Sequence, residues 1–420
     1  MDMTITDNTQ PTGRPTWALP QPYADRIAQS VQRGEVAIPE LADLLLEVAD
    51  KVGASDIHVE PQADHCLVRY RCDGMLLPVV SLPKGLGENL IARFKMMARV
   101  LTYRRRAPQD GRVDAGGIGI RAAFLPVLHG EKAVLRLPVA EAPHQLHELG
   151  MADEDRLKLE HVLVGGHGVV FLTGPSSSGK STTIYAALRY ILQHASIAPN
   201  IMTLEDPIEQ ELPGVNQTQI DPAGGLTFLA GLRSILRMDP DVIVVGEIRD
   251  DETARVAIHA GLSGHRVLTT IHSGTAAQVY SRLLHMGIEP FLLATAVSAI
   301  VAQRLARRVC SACAHERPLE PWETKVLFGQ DSTQVRGVSA VGCPSCFGTG
   351  VRGRFGLFEV ALPSPSVREA VLRRAQASEL AQLLEAGGMR PLRQALREAV
   401  STHVVSIEEA IRLSGGIASD

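Results

Sequence analysis

The segment Gly174-Pro-Ser-Ser-Ser-Gly179-Lys180-Ser181 constrains this chain of 420 residues more than any other. It follows a continuous apolar run, Val169-Val-Phe-Leu-Thr173, and precedes a stretch with Ile184, Leu188, Ile191 and Leu192 on one helical face. In a G-x-x-x-x-G-K-[ST] pattern set between a buried strand and a helix, the glycines let the backbone curl until its N–H groups converge on phosphate oxygens. The helix N-terminus adds positive potential there. The cradle then comprises Gly174, Pro175, Ser176, Ser177, Ser178, Gly179, Lys180, Ser181 and Thr182. Lys180 is expected to reach the β- and γ-phosphates of ATP, and the Ser181 hydroxyl to ligate Mg²⁺. The competing reading is a Gly/Ser-rich loop that matches by chance, against which the strand before and the helix after both weigh.

Three further short apolar runs, Ile201–Leu204, Val242–Val245 and Arg266–Ile271, alternate with helical segments and predict an α/β core with a covered parallel sheet. The second run ends in Gly246-Glu247, where a carboxylate beside a phosphate loop belongs. The usual penultimate aspartate is Gly246, so Glu247 alone would polarise water and organise Mg²⁺; a strand-end glutamate taken by itself is as often structural. Glu205 in Thr203-Leu-Glu205-Asp206-Pro207 is placed to orient the attacking water. His272, in Thr270-Ile-His272-Ser273, either senses the γ-phosphate or is satisfied by a backbone carbonyl, and spacing does not choose between the two.

Cys310-x-x-Cys313 and Cys343-x-x-Cys346, separated by 29 residues, are two zinc-type half-sites. Four thiolates from two tight turns close a tetrahedron, which makes such a site structural; a redox dithiol pair or unrelated thiols are the alternatives. Cys66 and Cys72 lack that spacing and read as reduced thiols. The basic run Tyr103-Arg104-Arg105-Arg106 is by itself a solvated face. Arg112 and Arg121 gain interest only if the first domain packs over the ATP site, which spacing cannot show.

Composition narrows the class. Lys plus Arg is 42 against 46 Asp plus Glu, a net charge of −4 that opposes a charge-driven nucleic-acid binder. Six cysteines are too sparse for a disulfide-built secreted scaffold. The longest nearly uncharged apolar stretch, Phe291–Ala302, has 12 residues, short of the about 17–25 that span a bilayer. The N-terminus carries acids where a signal peptide carries cations. A cytosolic protein is expected, held at any membrane through partners.

The chain divides by pattern into a flexible tail (1–36), an α/β domain (37–140), a linker (141–156), the ATPase core (157–309), a tetracysteine module (310–355) and a helical segment (356–420). In the first domain Leu41, Leu44, Leu45, Val48 and Val52 mark a helix stopped by Gly53; alternating strands and an Asp73-Gly74 turn follow. In the last segment Ser406 is expected to cap a helix, with Glu409 reaching back to it. No tandem repeat is present.

Together these segments resemble the secretion ATPase superfamily, specifically the type II secretion and type IV pilus assembly ATPases. The matching stretches are Ala54-Ser-Asp-Ile-His-Val-Glu-Pro61, Pro108-Gln-Asp-Gly-Arg112, the phosphate loop, Glu205-Asp-Pro-Ile-Glu209, Leu232-Arg-Ser-Ile-Leu-Arg-Met-Asp-Pro-Asp-Val-Ile-Val-Val-Gly-Glu-Ile-Arg-Asp250, Gly264–His272, Ala302-Gln-Arg-Leu-Ala-Arg-Arg308 and the four cysteines. The similarity runs from about residue 37 to residue 415. It implies a RecA-like P-loop ATPase domain behind a smaller N-terminal α/β domain, assembled as a hexamer at the inner face of the inner membrane. ATP would lie at or near subunit and domain junctions. Hydrolysis would move an inner-membrane platform protein. Glu205 falls in the family's Asp box, Glu247 in Walker B and His272 in the His box, while Arg112 and Arg121 match first-domain arginines that look toward the phosphates. The cysteines favour assembly over retraction motors, which lack them.

Three departures stand out: the family's N-terminal docking domain is missing or reduced to residues 1–36, the loop reads Pro-Ser-Ser-Ser rather than Pro-Thr-Gly-Ser, and Ser-Gly follows His272 rather than Thr-Asn. A nucleic-acid-dependent RecA-like ATPase is the alternative from another class. A regulatory nucleotide-binding protein with negligible turnover is a third.

Overall fold

The structure, a computed structural model, describes residues 19–115, 118–137, 144–329 and 335–417. The chain forms two compact units: Met1–Glu141, Arg307–His315 and Ser339–Gly353 make up one, and Ala142–Ala306, Glu316–Val338 and Arg354–Asp420 the other.

The first unit contains helices α1 (Gln21–Gln32), α2 (Ile38–Lys51) and α3 (Lys84–Met97). Its strands are β1 (Ala54–Pro61), β2 (His65–Cys72), β3 (Met75–Pro83), β4 (Gln109–Ala115), β5 (Ile118–Val127) and β6 (Gly130–Arg136), in the antiparallel order β3-β2-β1-β6-β5-β4. Pro39 sits in the first turn of α2, where its missing N–H costs nothing, and Gly53 follows the helix at φ +68°. β2 alternates between buried and half-buried positions along its whole length, so one face meets the helices. Leu41, Leu45, Leu90 and Phe94 close that core against Ile57, Val68 and Tyr70, and the Tyr70 hydroxyl donates to the Leu45 carbonyl at 2.7 Å. One expectation is corrected here. Part of the stretch 1–36 read as a tail is α1, which buries Ile27 to 2% exposure and packs on α2. Its few apolar residues are spaced for one helical face, a signal hidden by the prolines around it.

The second unit begins with α4 (Asp153–Val164), β7 (Gly168–Thr173), α5 (Lys180–His194), β8 (Ile201–Glu205) and β9 (Asn216–Gln219). α6 (Phe228–Ile235), β10 (Val242–Val245), α7 (Asp251–Leu262), β11 (Arg266–Ile271), α8 (Ala276–His285), α9 (Pro290–Ala296) and β12 (Val297–Val309) follow. Next come β13 (Ala314–Pro318), α10 (Pro321–Phe328), β14 (Arg336–Ala340) and β15 (Val351–Ala361), and the chain closes with α11 (Pro365–Leu372), α12 (Ala377–Ala386), α13 (Leu392–Ser401) and α14 (Ile407–Ser414). Seven strands lie in the order β15-β12-β7-β11-β10-β8-β9, and every pair from β12 to β9 is parallel. Along β7, Val169 and Phe171 enter the core under α7 and α8, while Val170 and Leu172 enter the core under α5. Both faces of the sheet are covered, which is why its strands read as unbroken apolar runs.

The stretch 310–355 is shared between the two units rather than forming one of its own. At the far end Ser406 caps α14 by accepting from the Glu409 amide at 3.3 Å; the Glu409 carboxylate pairs with Arg412. No helix among the described residues is long and apolar enough to cross a membrane.

Candidate nucleotide site

The functional residues of the second unit sit where parallel strands end. β7 runs into the loop 174–179 and α5 starts at Lys180. Gly174 adopts φ +150° and Gly179 φ +87°. A side chain at Gly174 would lie 2.5 Å from the Gln303 carbonyl, so glycine is required there for space as well as for conformation. Ser177 also has φ +60°, at the loop position where the resembled family usually has glycine. A left-handed serine costs about 1–2 kcal/mol relative to its ordinary conformation. Lys180 Nζ donates to the carbonyls of Gly174 and Pro175, both at 3.0 Å, and burial pulls its pKa below the usual lysine value against the opposing charge of Glu247.

Glu247, one residue beyond Gly246 at the end of β10, is half-buried and held by two side chains, Arg249 and His272. Arg249 Nε donates to one carboxylate oxygen at 2.8 Å, and His272 Nε2 lies 2.9 Å from the other. Of the two readings open for His272, backbone satisfaction is replaced by a carboxylate partner. Gly246 has a steric reason: a Cβ there would come within 2.9 Å of the Leu204 carbonyl, to whose oxygen the Gly246 amide bonds at 2.8 Å. The penultimate aspartate has no room. Thr270 Oγ1 donates to the Gly246 carbonyl at 2.7 Å, locking the ends of β10 and β11 together.

Glu205, at the end of β8, is buried and receives three donors. Thr203 Oγ1 and Gln217 Nε2 reach one oxygen at 2.6 and 2.9 Å, and the Tyr185 hydroxyl reaches the other. Burial and this bond raise the Tyr185 phenol above its ordinary pKa. Ser181, Lys180, Glu205, Glu247, Arg249 and His272 all line one cleft of about 230 Å³, with Phe228 and Ile184 on its apolar side. The Arg249 guanidinium also stands over the Phe228 ring at 5.8 Å. Tyr185, Gln217 and Arg249 were not singled out from the sequence. Only Arg249 carried a signal, its place two residues after the strand-end glutamate.

Arg112 and Arg121 lie in the first unit, directly opposed on β4 and β5. The same row continues through Arg136 and Asp56 to Arg71.

The four cysteines converge within the first unit, their sulfurs all within 4.8 Å of one another. Cys310 to Cys343, Cys313 to Cys346 and Cys343 to Cys346 measure 3.8, 3.9 and 3.8 Å. Tetrahedral zinc with Zn–S bonds of about 2.3 Å separates its sulfurs by about 3.8 Å, so the donor set fits. Burial pushes the Cys313 thiol up to about 12. Burial also raises Cys346, but amide donors from Cys343 and Gly350 outweigh it and bring that thiol to about 7.

A phosphate loop whose lysine shares one cleft with two strand-end carboxylates and a histidine, on a covered parallel sheet, defines a P-loop ATPase. A family model described as type II/IV secretion system protein matches residues 31–412. The chain belongs to that family.

Type II secretion system protein E of Pectobacterium carotovorum is 42% identical over 386 residues, which cover 90% of this chain and 76% of that protein. HxcR, a type II secretion system protein of Pseudomonas aeruginosa, is 40% identical over 397 residues, covering 90% and 80%. The type IV pilus assembly ATPase PilB of Thermus thermophilus is 38% identical over 379 residues, covering 88% of this chain and 42% of PilB. Among solved structures, the pilus retraction motor PilT with bound ADP superposes with a TM-score of 0.60 at 25% identity over 90% of this chain and 96% of PilT. The Legionella pneumophila ATPase DotB shares the fold, with a TM-score of 0.65 at 20% identity, covering 90% and 96%.

Proposed function

We propose that the chain is a hexameric, Mg-ATP-hydrolysing motor that powers assembly of a type II secretion pseudopilus or a type IV pilus. It would act through an inner-membrane platform protein, from the cytoplasmic face of that membrane. The observation that carries the chemistry is the shared cleft in which Lys180 and Ser181 face Glu247, Glu205 and His272. With ATP bound, Lys180 would exchange its loop carbonyls for β- and γ-phosphate oxygens, and Ser181 would hold Mg²⁺, which would supply charge neutralisation. Glu247 polarises the attacking water, Glu205 orients it from a preset position, and His272 reports loss of the γ-phosphate to Glu247, its partner at the end of the neighbouring strand. The phosphate-facing role of Arg112 and Arg121 rests on the family resemblance. The machine rests on the relatives, whose names span secretion and pilus assembly.

In the native host, replacing the gene with one encoding Glu247→Gln should abolish surface filaments or type II secretion while the protein persists at normal abundance. Intact filaments and secretion in that strain would refute the motor assignment.

The tetracysteine site is assigned to structural zinc held by Cys310, Cys313, Cys343 and Cys346. Purified protein should carry one zinc per chain by elemental analysis and release it to a chelator on heating. Losing the metal removes folding free energy, and each kcal/mol lost from a domain of this size lowers its melting temperature by about 2–4 °C. Cys343→Ser should reproduce that drop; zinc-free protein with an unchanged melting temperature would remove the assignment.

A further inference from the structure

β12 does more than extend the sheet. Its register with β7 ends at Ala302 opposite Thr173, so the next residues, Gln303 and Arg304, run on beside the phosphate loop. Neighbouring residues on a strand project to opposite sides, and these two reach different catalytic loops. Gln303 is 1% exposed and donates from Nε2 to the Ser178 carbonyl at 2.6 Å, from beneath the loop. Its own carbonyl sits where a Gly174 side chain would be, and its amide nitrogen lies 3.2 Å from the Cβ position of Gly179. Gln303 therefore packs against the beginning and the end of the phosphate loop.

Arg304 points the other way. Its Nη2 donates to the Gly274 carbonyl at 2.9 Å, two residues beyond His272, and its Nη1 to the Gln303 carbonyl at 3.0 Å. The His272 loop is held from two more sides. Thr173 Oγ1, at the end of β7, donates to the Ser273 carbonyl and accepts from the Ser273 amide, at 2.9 and 2.8 Å. The buried Glu359 carboxylate on β15 accepts from the Ala276 amide at the start of α8 at 2.7 Å and from the Leu392 amide at the start of α13 at 3.3 Å. Glu359 also exerts a favourable charge effect on the half-buried Arg304.

We infer that Gln303 and Arg304 are positioning residues that each set mainly one half of the active site. Gln303 holds the phosphate loop in its nucleotide-gripping curl. Arg304 holds the loop that aims His272 at Glu247. Neither touches the reacting atoms. The inference deepens the ATPase reading, and Lys180→Ala separates the two: if that variant still hydrolyses ATP, the reading itself fails, whatever Gln303 and Arg304 do.

The test uses the full chain, a fluorescent ATP analogue for affinity, phosphate release for turnover and a thermal scan for folding. Gln303→Glu keeps the size of the side chain but turns an acceptor toward the Ser178 carbonyl. It should raise the dissociation constant roughly tenfold, the worth of one buried hydrogen bond, and change saturated turnover by less than about threefold. Arg304→Ala should do the opposite, lowering turnover roughly tenfold with affinity within about threefold, and Arg304→Lys should recover part of the rate by donating to Gly274. If Gln303→Glu does not fold, Gln303→Asn, one methylene shorter, should still weaken affinity selectively. Affinity and turnover moving together in these variants, or both staying at wild-type values while only the melting temperature falls, would overturn the inference.

Discussion

Lys180→Ala should bring ATP turnover to background, with a loss of at least roughly 10²–10³-fold, the range seen when one preorganised charge donor is taken from a transition state. Two effects add. In the proposed mechanism the ammonium group neutralises charge on the β- and γ-phosphates from the first residue of α5. The same group braces the loop through the Gly174 and Pro175 carbonyls, so its removal also loosens the cradle in the absence of nucleotide. Affinity for ATP and turnover therefore fall together, unlike the separated effects expected for Gln303 and Arg304. Phosphate release from protein freed of contaminating ATPases is the measurement, with the melting temperature as a control for folding. Steady-state hydrolysis persisting in that preparation would mean that the cleft is not where ATP is cut. If wild-type protein binds ATP and releases no phosphate at micromolar concentration, the regulatory alternative replaces the motor.

Much of this site was legible in the sequence because its chemistry is written in short contiguous stretches. The four central strands appear as apolar runs, and Glu205, Glu247 and His272 are each the first polar group after one of them, which places all three in the cleft. What escaped was the support. Tyr185 and Gln217 come from a helix face and an edge strand, and their meeting at Glu205 depends on the pairing of β8 with β9, which no local pattern announces. β12 escaped for a different reason. Phe291–Ala302 reads as one apolar stretch, but the chain turns from helix to strand at Val297. A short buried helix and a buried strand have the same hydropathy. The arginines at 304, 307 and 308 then break the apolar run before the strand ends. The division of 310–355 between two units was hidden too, because the half-sites are close in sequence while the segment between them groups with the helices of the other unit.

Glu247→Gln decides which of the two carboxylates does the chemistry. Both line the cleft, and from spacing alone either could activate water. Their environments differ. A carboxylate offers about four acceptor sites; Glu205 already accepts from Thr203, Gln217 and Tyr185, all neutral, and is buried, so it is set in place with about one site left, enough to orient a water. Glu247 is half-buried and is held by Arg249 and His272, which a triphosphate would compete for directly. An anionic ligand drawing Arg249 and His272 toward itself would free Glu247 at the moment that water must be polarised. Glutamine has the same shape but no charge to accept the developing proton, so turnover should fall by about 10²–10⁴-fold, the usual contribution of a positioned acid or base. The cradle is untouched, and ATP should stay bound: the variant should elute from gel filtration with intact ATP, where wild-type protein carries ADP. Glu205→Gln should be the milder variant, because its amide still accepts from Thr203 and loses only part of the network. If Glu205→Gln proves dead while Glu247→Gln turns over near the wild-type rate, the roles exchange, and Glu247 becomes the counter-charge that holds Arg249 and His272 for the phosphate.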